Sequence, residues 1–516
     1  MKLYRGFATV GAMTVISRVL GFVRDVLIAA VLGTSAVADA FFMAFRVPNM
    51  FRRIFAEGSF DAAFIPLFAK RFHAEGSDAA RNFAGQALAC LTVLLLAVTI
   101  LAEIAMPWLM LLLAPGFASD PAKFDLTVLI ARIALPYLVF MSLMALYTGV
   151  LNALGRFAVA AFAPSLLNVV LIAVLLGLIA TGTGERSAAG VALAWGVLVS
   201  GILQVAVVVW AAARAGMSIP FKRPTLNGDM RRFMALAAPG VIAGGISQIT
   251  IVVSSVVASL QDRVVSWLYY ADRIVHLPLG VIGVAIGVVL LPDLSHKLRS
   301  GDHGAFVASE NRALEFALIL TLPAAVALFI AAGPIIRVLF ERGAFTTVDA
   351  RATAEMLAAL ALGLPAYVLI KVLHPSFFAR EDTKTPMLFA GIAVLANAVL
   401  AYVLFVSLGA VGIAIAATLA GWLDVALLIG ALKRRASFAL DDGFRRTLIG
   451  ILSASAVMGA VVWGLALFLD PWFAPEQGVL IQVLALAGLV AAGLATYCAT
   501  ASLAGAVKLS CSLRAC

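Results

Sequence analysis

Charged residues are scarce in this sequence. Only 12% of its 516 residues are Asp, Glu, Lys or Arg, whereas 63% are hydrophobic and the mean hydropathy is +1.07. Soluble globular proteins carry about 25% charged residues. The composition excludes an ordinary soluble enzyme and predicts an integral membrane protein. Because about a dozen spans of ~20 residues would use most of the chain, no sizeable domain remains for catalysis outside the membrane, and we expect a protein that is not an enzyme.

Cysteine and histidine are also scarce, with four and five residues respectively. They show no Cys-x-x-Cys or His-x-x-x-His spacing, and no acidic cluster accompanies them. The sequence therefore predicts neither a metal site nor a disulfide framework. It has no phosphate-binding glycine-rich motif either, which excludes ATP as the direct energy source. The net charge of +10 would suggest a nucleic-acid partner in a soluble chain, but in a membrane protein it indicates topology, so no nucleic-acid partner is expected.

Apolar windows separated by charge, glycine or proline predict fourteen transmembrane helices. They cover residues 8–32, 36–69, 83–114, 125–152, 158–181, 188–213, 233–260, 266–295, 313–332, 349–378, 386–407, 410–432, 447–469 and 478–507. With the N-terminus inside, the cytoplasmic segments hold 23 of the 37 basic residues and the opposite side holds five. The positive-inside rule then predicts that both termini are cytoplasmic.

A weak internal duplication divides the chain. Six landmark pairs recur at offsets of 226 to 230 residues: Pro48 and Pro278, Pro66 and Pro292, Pro107 and Pro334, Phe117 and Phe345, Pro136 and Pro365, and Asn168 and Asn397. An even number of spans in each copy gives both copies the same orientation, as in transporters whose two lobes rock around a central site. We expect an all-α, V-shaped membrane transporter with lobes at 1–225 and 226–440 and two further helices at 441–516. A duplicated bundle without transport activity is the alternative.

Charged residues inside the spans are the candidate site. A charged side chain at the bilayer centre costs ~2.5 to 3.5 kcal/mol on insertion scales, so it normally faces a cavity or a partner. The first two spans concentrate such residues: Arg18, Arg24, Asp25, Asp39, Arg46, Asn49, Arg52, Arg53, Glu57 and Asp61. The corresponding part of the second copy contributes chiefly Asp272, Arg273 and Asp293. Alternatives remain open: Arg18 and Asp25 share a helix face and could simply pair, Pro48 is expected to bend the second span, and Asp39 could pair with an arginine at an external gate.

The excess of arginine indicates an anionic ligand. Exporters of organic cations need buried carboxylates, whereas Arg18, Arg24, Arg52 and Arg273 offer planar forks that match phosphate oxygens. The residue types therefore favour a phosphate or diphosphate substrate and disfavour drug export.

Several motifs resemble the MurJ (MviN) family of lipid II flippases, within the multidrug/oligosaccharidyl-lipid/polysaccharide exporter superfamily. They include SRVLGFVRDVLIA, ADAFFMAFRVPNMFRRIFAEGSFDAAFIP, APGF, FAPSLLN, WLYYADRI and LPLGVIGVAIGVVLLPDLS. The resemblance implies fourteen helices in two lobes, with the last two helices forming a groove for a polyprenyl tail. It also implies translocation of lipid II, the undecaprenyl-diphosphate-linked peptidoglycan precursor, from the cytoplasmic to the periplasmic leaflet of the bacterial inner membrane.

The resemblance also supplies residue roles. It implies that Arg18, Arg24, Arg52 and Arg273 bind substrate, that Asp39 is important, and that Ser17, Asp25, Asn49 and Glu57 are secondary site residues. It implies membrane lipids as further partners and an association with cell-wall synthesis machinery. No cofactor is expected. Coupling to the membrane potential or to a monovalent cation stays open without an assigned site, and a flippase for another polyprenyl-diphosphate glycan or a non-transporting cell-wall scaffold are the alternative functions.

Overall fold

The computed structural model describes residues 2–55, 59–182, 185–225, 227–299, 303–435, 442–474 and 476–505. Within these ranges the chain is helical, with short 3₁₀ turns and no strand. The described residues contain ten helices or helix pairs long and apolar enough to cross a membrane. The expected all-α polytopic membrane fold is therefore confirmed. The four other predicted spans, which are the first, second, seventh and eighth, are not among these ten, so the count of fourteen stays a prediction.

The chain divides into two compact units, Met1–Ser266 and Trp267–Cys516. The helices that lie wholly in the first unit are α1 (Lys2–Leu32), α2 (Ala36–Phe55), α3 (Ser59–Glu75), α4 (Ser77–Ile104), α5 (Met106–Leu113), α6 (Pro121–Ala134), α7 (Tyr137–Ala153), α8 (Phe157–Phe162), α9 (Leu166–Thr181), α10 (Arg186–Arg214) and α11 (Gly228–Ala258). The lobe boundary predicted from the sequence repeat lies at residue 225, whereas the compact units meet at residue 266. The lobe boundary stays a prediction.

The boundary between the units falls inside the next helix, α12 (Val264–Arg299). The remaining helices belong to the second unit: α13 (His303–Ile330), α14 (Ala332–Phe340), α15 (Thr347–Ala361), α16 (Leu364–Phe378), α17 (Lys384–Leu408), α18 (Val411–Arg434), α19 (Asp442–Leu469) and α20 (Val479–Leu503).

Aromatic side chains join the helices of the first unit. Phe64 of α3 stacks on Phe83 of α4 with ring centroids 5.8 Å apart, and Phe233 of α11 meets Phe64 edge-on at 6.3 Å. Such pairs add about 0.5 to 1.5 kcal/mol to the burial of their apolar area. This contact explains why α11 belongs to the first unit, although the repeat assigns it to the second copy.

In the second unit, α19 and α20 pack against α13 and α14. Ala454, Met458 and Val462 of α19 and Leu489 of α20 are buried together with Ala331 and Val338. Tyr497 of α20 donates a hydrogen bond to the Ile319 carbonyl of α13 at 2.8 Å. The last two helices are therefore an integral part of this unit.

The internal repeat is visible in the order of helices. Each copy has a long helix, then a short one, then a span broken near its middle: α4, α5 and the pair α6–α7 in the first copy, and α13, α14 and the pair α15–α16 in the second. Pro136 and Pro365 lie at the two breaks, where a residue without an N–H cannot continue the preceding helix. Phe117 and Phe345, another landmark pair, are both buried.

Two sequence expectations stay predictions. The predicted single span at 36–69 is described as α2 and α3, and residues 56–58 between them lie outside the described ranges. Pro48 lies inside α2, and the bend expected there stays a prediction.

Candidate functional site

Helix α1 carries four of the predicted site residues. Arg24 is buried, and its guanidinium donates to Asp25 Oδ1 from Nε at 3.0 Å and from Nη2 at 2.7 Å. Its Nη1 donates to Asn168 Oδ1 of α9 at 2.9 Å. The structure thus gives Arg24 both a carboxylate and an amide oxygen from the protein itself.

Asn168 joins α9 to α1. While its Oδ1 accepts from Arg24, its Nδ2 donates to the carbonyl of Ser17 at 3.1 Å. The sequence marked Asn168 only as a landmark of the repeat, where it corresponds to Asn397. This correspondence was the one signal in the sequence that pointed to Asn168. The predicted site residue Ser17 takes part through its backbone.

Arg18 differs from Arg24. Its side chain is half-buried, and within the described ranges it forms no hydrogen bond or ion pair. The alternative in which Arg18 pairs with Asp25 is wrong, because the carboxylate of Asp25 faces Arg24 instead. The two arginines lie six residues apart, which places them about 9 Å apart along the helix axis and on different faces. Arg18 can therefore accept an external anion without breaking a described contact.

Asp39, in the first turn of α2, is completely buried and lies in a polar network. Its Oδ2 accepts from Lys123 Nζ at 2.9 Å, and its Oδ1 accepts from Ser266 Oγ at 2.6 Å. Lys123 also donates to Asp262 Oδ1 at 2.8 Å. The expected arginine partner is replaced by a lysine, Lys123.

The same carboxylate holds the start of α12. The backbone N–H groups of Arg263 and Ser266 donate to Asp39 at 2.8 and 3.0 Å. The first N–H groups of a helix have no partner within the helix, and a carboxylate there also complements the helix dipole. Arg263 has a φ of 70°, which is unusual for a residue with a side chain, and the contact fixes this turn.

Lys123 was missed because it falls in a predicted loop. Asp120 caps α6 by accepting from the N–H groups of Ala122 and Lys123, and Pro121 begins the helix. This Asp-Pro start is a typical helix N-terminus. It places Lys123 in the first turn, with its ammonium 4.1 Å from the centre of the Phe117 ring. The side chain is only 3% exposed, so it is not a solvated loop lysine.

Three predicted site residues have limited descriptions. Asn49 is half-buried, and its Nδ2 donates to the Phe45 carbonyl of its own helix at 3.1 Å. The side chain of Arg52 and the whole of Glu57 lie outside the described residues. Their predicted roles therefore stay predictions, as do those of Arg53 and Asp61.

In the second unit, Arg273 of α12 is half-buried. Its neighbour Asp272 is paired with His276 one turn later, with 3.2 Å between Oδ1 and Nδ1. Lys371 of α16 is a further basic residue inside a predicted span, and it was not predicted as a site residue. It is exposed, and it forms no hydrogen bond or ion pair within the part of the chain that the structure describes.

The described residues include no group of three or more His, Cys, Asp or Glu side chains able to hold a metal ion. What they provide is the half-buried guanidinium of Arg18, a buried Arg24–Asp25–Asn168 network and a buried carboxylate that anchors a helix start. This arrangement suits binding of an anion.

Comparison with known proteins identifies the family. A family model described as "Lipid II flippase MurJ" matches residues 28–484. The chain belongs to the lipid II flippase MurJ family. It is 47% identical over 512 residues to a probable lipid II flippase MurJ of Rhizobium meliloti (strain 1021), covering 99% of this chain and 95% of that relative. The lipid II flippase MurJ of Burkholderia cenocepacia is 33% identical over 508 residues, which cover 97% of this chain and 96% of that protein.

Solved structures support the same assignment. An inward closed conformation of a lipid II flippase MurJ matches with a TM-score of 0.76 and 28% identity, covering 96% of this chain and 98% of that one. An inward-facing multidrug resistance transporter of the MATE family, in the MOP superfamily, matches with a TM-score of 0.67 and 16% identity, covering 82% of this chain and 95% of that one. The second likeness concerns the fold alone. The expected membership of the MurJ family and its superfamily fold is confirmed, and the chain is a multi-pass membrane protein.

Proposed function

We propose that this protein is a flippase that moves lipid II from the cytoplasmic to the periplasmic leaflet by alternating access and thereby supplies peptidoglycan synthesis. The observation that carries the proposal is the family match over residues 28–484, together with relatives that carry this name and align over nearly the whole chain. The protein acts as a transporter, and no catalytic role is assigned to any residue.

The proposed location is the bacterial cytoplasmic (inner) membrane, with both termini in the cytoplasm. Its support is the distribution of Lys and Arg, of which 23 fall in the segments that this orientation makes cytoplasmic and five on the other side. In this orientation the turn between α11 and α12, which Asp39 and Lys123 anchor, lies at the periplasmic face.

Arg18 is the residue we assign first to the diphosphate of lipid II. A guanidinium matches two phosphate oxygens at once and keeps its charge in any surroundings. A partnerless arginine at membrane depth is costly, so it normally faces a cavity or a ligand. Arg52 and Arg273 complete the proposed anion-binding set on the strength of the resemblance.

The other site residues receive supporting roles. Arg24, Asp25 and Asn168 fix α9 against the Ser17 turn of α1, and so they position Arg18. Asp39 anchors the start of α12. Asn49 and Glu57 remain proposed substrate-side residues.

The remaining parts of the proposal concern organisation and partners. Lobes at 1–225 and 226–440 move the headgroup, and the segment 441–516 accommodates the polyprenyl tail among membrane lipids. Cell-wall synthesis enzymes are proposed partners. Carrying a negative charge outward across an inside-negative membrane gains ~2.3 kcal/mol per charge for each 100 mV, so the membrane potential favours export of the diphosphate.

The test is leaflet-resolved detection of lipid II after acute depletion of the protein in a strain without another lipid II flippase. The proposal predicts accumulation on the cytoplasmic side and a falling periplasmic supply. Restoration by the wild-type chain but not by Arg18→Ala, at equal membrane levels, would support transport. Unchanged periplasmic supply would contradict it, and restoration by Arg18→Ala would favour the scaffold function. If another polyprenyl-diphosphate glycan accumulates while lipid II does not, the substrate assignment is wrong.

A further inference from the structure

A carboxyl group without a partner is buried in the second unit. Asp424 of α18 is 6% exposed, and its Oδ1 is inaccessible and accepts no hydrogen bond. Within the described ranges, the side chain forms no hydrogen bond or ion pair at all. It lies 13 residues from the first residue of α18 and ten from the last, which correspond to about 20 and 15 Å along the helix. Asp424 is therefore near the middle of a predicted span.

Two polar side chains on the same helix as Asp424 have hydrogen-bond partners. Thr418 donates to the Ala359 carbonyl at 2.8 Å, and the Trp422 indole donates to the Leu362 carbonyl at 3.0 Å. Gly421 lies so close to the ring of Tyr367 that a Cβ there would be 2.9 Å from it. The interface between α18 and α15–α16 is thus closely packed. The Thr353 hydroxyl of α15 and Nε2 of His374 of α16 are buried without a hydrogen-bond partner as well, and Asp424 is the acidic group among these three.

The helices that pack against α18 provide no counterion. Their titratable and charged side chains are Asp349, Arg351 and Glu355 on α15, Tyr367, Lys371 and His374 on α16, and Lys384 and Tyr402 on α17. None of them forms a described ion pair or hydrogen bond with Asp424. Asp349 caps α15 with Thr346, Arg351 pairs with Glu355, and no charge among the described residues offsets the burial of Asp424. A buried charge without a partner is strongly disfavoured, so the carboxyl needs a cation.

A proton fits this site better than a divalent metal ion does. Metal cations bound by oxygen require a cage of several ligands. The described residues contain no cluster of acidic or histidine side chains, whereas a proton needs one carboxyl oxygen. A protonated aspartic acid is neutral and carries one O–H donor.

We propose that Asp424 is a binding site for a single proton, which it holds while enclosed between α15, α16 and α18 and exchanges with water when their packing loosens during transport. The proton comes from the aqueous phase and returns to it, with no other bond made or broken. This inference extends the proposed flippase function by giving transport a coupling ion. It is separable from that function, because proton binding can be measured without substrate.

The first test is infrared difference spectroscopy of the full-length protein in liposomes. We expect the carbonyl-stretch band of a buried protonated carboxyl in the wild type, its loss in Asp424→Asn, and a shifted but retained band in Asp424→Glu. Glu355→Gln, which removes an exposed carboxyl from α15, is the matched control and should leave the band intact. A band that persists in Asp424→Asn, or that is absent from the wild type, would overturn proton binding at this site.

The second test measures lipid II flipping in proteoliposomes as the pH on both sides is varied. The wild-type rate is expected to change with pH, whereas that of Asp424→Asn should be at least several-fold less sensitive. Equal pH dependence in both proteins, or dependence on sodium at fixed pH with none on protons, would overturn the coupling. Complete absence of flipping by the wild type, with the infrared result unchanged, would contradict the proposed function and not the proton site.

Discussion

Lys123 and Asp39 form a buried ion pair, with Nζ of the lysine 2.9 Å from Oδ2 of the aspartate and both side chains almost inaccessible. The pair joins the N-terminal turns of α6 and α2. Because Asp39 also accepts two backbone N–H groups from the turn that begins α12, one carboxylate fixes three chain segments. We therefore interpret this network as a structural anchor at one end of the first unit.

Lys123→Met should destabilise the protein. Removing one partner of a buried ion pair typically costs ~3 to 5 kcal/mol, because the other charge stays buried. The expected result is a clearly lower Tm in detergent for Lys123→Met, whereas Lys70→Met, an exposed lysine of α3, should leave Tm unchanged. The double variant Lys123→Met/Asp39→Asn should recover part of the loss. Equal Tm values for the two single variants would show that the ion pair does not contribute to stability.

Gly116→Ala should disturb the same end of the unit. A Cβ at Gly116 would overlap the carbonyl of Ser259, whose hydroxyl accepts from the Gly116 N–H at 3.2 Å. Overpacking of this kind typically costs ~1 to 3 kcal/mol. Gly333→Ala in α14 is the matched control, because no atom lies within 4 Å of a Cβ there. Thermal unfolding should give a lower Tm for Gly116→Ala than for Gly333→Ala. An unchanged Tm of Gly116→Ala would mean that the backbone shifts to accommodate the Cβ atom at this contact.

Asn168→Ala should weaken the Arg24 network. The amide oxygen accepts from a buried guanidinium, and a hydrogen bond to a charged group contributes ~1.5 to 3 kcal/mol. A reduced Tm and reduced flipping are expected. Asn152→Ala provides a control, since this half-buried asparagine of α7 has no described side-chain partner. If both variants have the same Tm, the hydrogen bond between Arg24 and Asn168 does not contribute to stability.

Asp382 gives the second unit a pH dependence outside the spans. The Thr385 N–H and side chain, followed by Arg435, lower the pKa of this carboxyl from 3.8 to about 2. A lowered pKa means that the charged form stabilises the folded state above pH 3.8, and that this contribution is lost as the pH falls toward 2. Asp382→Asn should therefore lower Tm at pH 7, and the difference from wild type should narrow below pH 3.8. The neighbouring variant Glu381→Gln should have the wild-type Tm at both pH values. If the Tm difference between Asp382→Asn and wild type does not change with pH, the charge of Asp382 is not its cause.

The sequence predicted positions of helices better than contacts between them. Hydropathy placed a span at 386–407 where α17 covers Lys384–Leu408, because an apolar run long enough to cross a bilayer has few alternatives.

The site was predicted in part. Intramembrane charge marked Arg24 and Asp39 as residues with unusual surroundings, and both are buried. Their partners Asn168 and Lys123 lie 144 and 84 residues away, so tertiary packing and not local spacing selects them. Helix periodicity alone allowed an Arg18–Asp25 pair, yet the adjacent Arg24 reaches Asp25 instead. Asp424 was not predicted as a site residue, because the sequence does not reveal whether a buried carboxyl has a partner.

The central claim is that Arg18 binds the anionic headgroup while Arg24 supports the fold. It is tested most directly by measuring lipid II affinity and Tm of purified Arg18→Ala, with Arg351→Ala as the exposed-arginine control. Losing a hydrogen bond to a charged group, at ~1.5 to 3 kcal/mol, predicts an affinity about ten- to a hundredfold weaker for Arg18→Ala with an unchanged Tm, and no change for Arg351→Ala. Unaltered lipid II affinity of Arg18→Ala, or a Tm lowered as far as in Asn168→Ala, would contradict the account.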